Sequence, residues 1–101
     1  MRKREKKERK IIEQDPLLRE QTVARFALPE GTKEFRQGYM ECIQMYALHM
    51  PNKRQVARIL DEYCITLEQE CLRSMVRENV AQYEGYRQAM KELRRMKLIQ
   101  C

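Results

Sequence analysis

The residues of this 101-residue chain that could attack, ligate or move a proton near neutral pH are few: four cysteines, His49 and Ser74. Cys42, Cys64, Cys71 and Cys101 have spacings that match neither a zinc site nor a paired-cysteine redox motif. Cys64 and Cys71 lie two turns apart if the stretch is helical, too far to bridge each other. Cys42 could pair with either across a helical hairpin, but buried reduced thiols are the simpler expectation and point to a reducing compartment. His49 stands near the end of a helical pattern, where a cation suits the helix dipole, and no nucleophile or acid accompanies it. Ser74 is the only serine, and no Gly-rich phosphate loop, HExxH, CxxC or nucleophile elbow occurs. The expectation is a protein that is not an enzyme, with no cofactor and no metal.

Charge is the next chemistry available. Residues 1–10 carry seven Lys or Arg against two Glu, and the rest of the chain carries 14 basic against 13 acidic residues. The formal +6 therefore describes a nearly neutral body with a basic N-terminal arm, residues 1–14. Arg2, Lys3, Arg4, Lys6, Lys7, Arg9 and Lys10, with Arg94 and Arg95 near the other end, are candidate contacts for phosphate or an acidic partner. Arg87, Lys91 and Lys97 extend that second cluster. Glu5 and Glu8 do not fit a mitochondrial presequence of the usual kind, which is poor in acids.

The elements that must carry these groups are helical. The chain is 43% hydrophobic and 36% charged, with three glycines and three prolines, a balance that suits an all-α domain with a large wetted surface. Residues 15–101 read as one domain. Asp15-Pro16 opens a short helix over about 16–25, with Leu17, Leu18, Val23 and Phe26 as contacts. Ala27 to Gly31 is a loop, and Thr32 caps a second helix over 33–50. Phe35, Tyr39, Cys42 and Tyr46 on that helix, with Val56, Leu60, Cys64 and Leu67 beyond it, form the expected core of a helical hairpin.

The largest expected element is one very long C-terminal helix over about 53–98, or two helices in line. Asn52 with Gln55 three residues on reads as a capping box. No proline follows, and Gly85 is the only glycine. Such a helix would be roughly 65–70 Å long, so it either projects or bends near Gly85 or Ile65-Thr66. Its apolar stripe continues through Val76, Val80, Tyr83, Tyr86, Met90 and Leu93, with no intrachain partner of matching length in view. That face is assigned to a partner, another protein or a second copy of the chain, with the homodimer the less favoured. Ser74, Glu78 and Asn79 interrupt a simple seam.

Two resemblances add to this. Phe35-x-x-Gly38-Tyr39-x-Glu41-Cys42, with Ala57-Arg58-Ile59-Leu60 after it, resembles the start of the Orange domain of Hairy-type transcriptional repressors over about a quarter of the chain. It implies a helical dimerisation module meeting its copy through Phe35, Tyr39 and Leu60. Gly85-Tyr86-Arg87 is similar to the Leu-Tyr-Arg signature of small mitochondrial helical proteins, with Gly in the place of Leu.

The reading is a small helical accessory or structural subunit docking helix-on-helix in a multiprotein complex, of the mitochondrial respiratory or ribosomal kind. The alternatives are a ribonucleoprotein component binding RNA or DNA backbone, and an Orange-like homodimer of a transcriptional regulator. No transmembrane segment or signal peptide is read. The expected location is intracellular, with mitochondrial matrix, cytoplasm and nucleus all open.

Overall fold

A computed structural model describes residues 16–99, all of whose regular elements are helices: α1 (Pro16–Ala24), α2 (Lys33–His49), α3 (Val56–Ser74) and α4 (Arg77–Arg95). The arm assigned to residues 1–14 lies outside the described residues, and so does Cys101. Pro16, whose missing N–H costs nothing in a first turn, begins α1. Short-range bonds from the Arg25 and Phe26 amides to the Thr22 and Val23 carbonyls close it. Thr32 caps α2 as its sequence position implies, its Oγ1 accepting from the Phe35 amide at 3.1 Å. Pro51 ends α2, because it has no amide for the ladder.

The capping box at Asn52 does not form. Residues 51–55 are spent as turns between α2 and α3. The Asn52 backbone carbonyl, not its side chain, accepts from the Gln55 and Val56 amides at 3.1 Å. Gln55 is the N-cap and makes no side-chain capping bond. The helix therefore starts at Val56, three residues later than its composition suggests.

The single long helix is corrected to two. Met75 adopts a left-handed conformation, φ 56 and ψ 27, with its amide on the Cys71 carbonyl, and Val76 is extended. The chain then turns back rather than continuing in line. Ion pairing of Arg94 with Asp61 and the Tyr83–Glu68 hydrogen bond lie across the α3–α4 interface, so α4 runs antiparallel to α3. The polar residues that interrupt the seam tie this elbow. Ser74 Oγ donates to the Glu70 carbonyl, Asn79 Nδ2 donates to Ser74 Oγ at 2.7 Å, and the Cys71 thiol donates to the Asn79 carbonyl at 3.2 Å.

Folding α4 back brings it against α2, its most extensive neighbour. Gly38 and Gly85 permit the approach. A Cβ at Gly38 would overlap the Gln82 carbonyl, and one at Gly85 would overlap the Phe35 carbonyl. The two helices thus meet backbone to backbone. The expected α2–α3 hairpin is in fact a three-helix arrangement in which both elements lean on α4. Tyr39, Cys42, Ile43, Tyr46, Val56, Leu60, Leu67, Tyr86, Met90 and Leu93 make its core. Helix α1 lies along the C-terminal half of α2, with the Phe26 ring edge-on to Tyr46 at 6.5 Å between centroids. Helix α4 ends in a Schellman closure: Lys97 is left-handed (φ 61) and the Leu98 amide returns to the Leu93 carbonyl at 2.9 Å.

Candidate docking surfaces

The reactive side chains are placed for packing. Cys42 is fully buried where α2 meets α4, and Cys71 is buried under the elbow. Cys64 is half-buried, and all three are free thiols. Burial pushes the ionisation of each thiol upward, most strongly at Cys42, where the neighbouring Cys64 adds to the effect. Tyr86 has no exposed surface; its hydroxyl donates to the Leu60 carbonyl at 3.0 Å, and burial first, then the nearby Cys42, push its ionisation up as well. Among the described residues no group of three His, Cys, Asp or Glu is placed to hold a metal ion. No described helix is long and apolar enough to cross a membrane.

The face assigned to a partner is placed differently from that reading. Tyr86, Met90 and Leu93 are buried in the chain's own core, and Val80 and Tyr83 are half-buried beside it. The missing intrachain partner is α2, which the glycine pair lets in. Only Val76 of the six remains exposed, at 44%. The assigned core residues are buried except Phe35 and Cys64, which are half-buried. Tyr39 and Leu60, two of the three residues an Orange-like dimer would use, are likewise committed inside the chain.

Of the candidate phosphate contacts, Arg2 to Lys10 lie outside the described residues. Arg94 is paired with Asp61 at 3.1 Å and Arg95 with Glu92 at 2.7 Å, so both guanidinium groups already have acidic partners. Arg94 Nε is buried with no hydrogen-bond partner. Arg87 stands over the Tyr83 ring, 5.6 Å from its centroid. The Arg94–Asp61 and Arg95–Glu92 pairs face solvent and are individually weak.

Three surfaces remain that the fold does not use. The first is a ridge that runs from the middle of α3 to the elbow. Ile65 and Leu72 are two turns apart on α3, and with Met75 and Val76 they leave large apolar side chains in water; Leu72 is 70% exposed and Met75 71%. Sequence reading placed none of these but Val76 in an interface. The available signal was Ile65 and Leu72, apolar residues lying off the stripe that Leu60, Leu67 and Cys71 mark as inward.

The second surface is at the opposite end, where α1 starts, α2 ends and the chain leaves α4. A cleft of about 640 Å³ opens there, walled by Leu18, Tyr46, Met50, Val56, Leu98 and Ile99, with Lys53 and Lys97 also lining it. A third recess, about 630 Å³, runs between α1 and α2 over Val23, Ala24, Met45 and Leu48 with Arg19, Glu20 and Glu41 at its edge. Its charges are mixed and select no partner by sign. No protein-family model, curated protein or solved structure matches the chain.

Proposed function

We propose that this chain is a non-enzymatic helical accessory subunit that docks helix-on-helix in a larger protein assembly. The observation that carries the reading is the elbow ridge of Ile65, Leu72, Met75 and Val76. The core beneath is already closed, so these side chains are not needed to complete it. Four large apolar side chains left in water between Ile65 and Val76, on a surface rich in charge, support an interaction site there. Spacing of seven between Ile65 and Leu72 is that of one helix face, the geometry that receives another helix. The non-enzymatic part is supported by thiols whose ionisation is suppressed, the reverse of what a nucleophile needs. A short, Met-rich, highly charged chain suits protein assemblies of the respiratory kind.

The test is the mass of the native species that carries the endogenous protein, measured under gentle conditions with and without nuclease. The expected result is a particle many times the mass of the 12.3 kDa chain, unchanged by nuclease. A particle of one or two chains, or one that collapses on nuclease treatment, overturns the proposal.

A further inference from the structure

We infer that the lysine-lined cleft at the end opposite the elbow is a docking site for an acidic amphipathic helix of a partner protein. This deepens the subunit reading and rests on it.

The cleft has two chemistries at once. Tyr46, Val56 and Ile99 are buried in its walls, and Leu18, Met50 and Leu98 complete an apolar recess. Lys53 and Lys97 flank it, both exposed, and Arg54 adjoins Lys53 in the same turn. Among the described residues none of these three cations has an acidic partner within ion-pair distance, so their charge is open to a partner's carboxylates. At about 640 Å³ the recess falls in the size range of protein binding pockets.

The combination selects the occupant. Nucleic acid would satisfy the lysines but gains little from apolar walls, and Tyr46 is 7% exposed, leaving no open ring for a base to stack on. A membrane surface is met by apolar side chains that stand proud, and here they line a recess. A second copy presenting the same end would set lysine against lysine. The chain's own first ten residues, seven of them basic, would meet the same repulsion. An amphipathic helix bearing Leu or Phe on one face and Glu or Asp beside it brings an apolar knob for the recess and carboxylates for Lys53 and Lys97.

The probe is a fluorescein-labelled 20-residue helical peptide with Leu at i and i+4 flanked by Glu, and its counterpart with every Glu replaced by Lys. Fluorescence anisotropy with the full chain is expected to show binding of the acidic peptide and not the basic one. The double change Lys53→Glu/Lys97→Glu should weaken acidic-peptide binding at least tenfold and admit the basic peptide. Should that variant fail to fold by circular dichroism, Lys53→Glu/Arg54→Glu lies wholly in the turn between α2 and α3 and carries the same expectation. Equal binding of both peptides, or of the acidic peptide by wild type and variant, overturns the inference. So does an inert peptide, whether or not a single-stranded oligonucleotide or phosphatidylserine vesicles bind. The native-particle mass separates the two proposals. A large particle that survives Lys53→Glu/Lys97→Glu sinks the cleft and leaves the subunit standing, whereas no large particle with wild-type protein sinks the subunit.

Discussion

Tyr86 and Cys42 are held neutral by the same burial that makes them useful to the core. Both are without exposed surface, and both ionise above their ordinary values of 10.0 and 9.0. The sign of the pH effect follows. Below about pH 8 both groups are neutral whether the chain is folded or not, and their contribution is fully present. As pH passes the unfolded values, the unfolded chain loses protons that the folded chain keeps, so stability falls until the folded groups also ionise. The midpoint of urea unfolding should therefore be flat from pH 6 to 8 and decline above about 9. Cys42→Ala should flatten the first part of that decline by about 1.4 kcal/mol per pH unit, the value of one proton. Tyr86→Phe should cost about 1–2 kcal/mol at pH 7, the loss of a buried hydrogen bond to the Leu60 carbonyl. Thr32 and Asn52 show how far single residues could be read in advance. Both have the side chain of a cap, but only Thr32 follows a loop free to present it; Asn52 is consumed by the turn that Pro51 forces.

At the scale of elements, the content of the helices was legible and their arrangement was not. Propensity and apolar spacing located α1 and α2 to within a residue at their ends. The break after Ser74 left no such mark, because the left-handed position that glycine usually fills is occupied by Met75, and Cys71, Met75, Val76 and Val80 keep helical spacing across it. Non-glycine residues in that conformation lose roughly 1 kcal/mol. Met75→Gly should thus raise stability by up to about 1 kcal/mol in urea titration, since the side chain it removes is mostly in water. A fall instead would mean that Met75 packs in a way its exposure does not suggest. Once the chain reverses, Gly85 ceases to be a weak point in a long helix and becomes, with Gly38, the contact that admits α2. Gly85→Ala would improve an isolated helix by about 1 kcal/mol. Here it must push the Phe35 backbone away, with an expected net loss of about 2–3 kcal/mol and a drop in Tm of about 10–20 °C by calorimetry. A rise in Tm would return α4 to the solvent and reopen the long-helix reading.

The described residues form an elongated body, 47 × 28 × 25 Å, with the ridge and the lysine-lined cleft toward opposite ends. Helix α3, about 28 Å long over its 19 residues, runs between the cleft and the elbow. Tyr86, Met90 and Leu93, assigned to a partner from the sequence, are core instead, because the chain supplies its own third helix; Val76 alone of that face stays exposed. The residues that do face water were passed over, because isolated apolar positions off the main stripe look like noise until the stripe's inward direction is known. This division between folding and docking surfaces gives the last expectation. Leu72 is 70% exposed and makes no part of the core. Leu72→Gln should leave the unfolding free energy within about 0.5 kcal/mol of wild type, as exposed substitutions do. In cells expressing Leu72→Gln as the only copy, the chain should leave the large particle and sediment near its own mass. The same assay on Leu67→Ala, an inward position on the same helix, should lose stability by about 2–5 kcal/mol and deplete the chain from both fractions alike. Only a docking ridge separates the two variants in this way. If Leu72→Gln stayed in the particle, the elbow would be an exposed corner of the fold with no partner of its own.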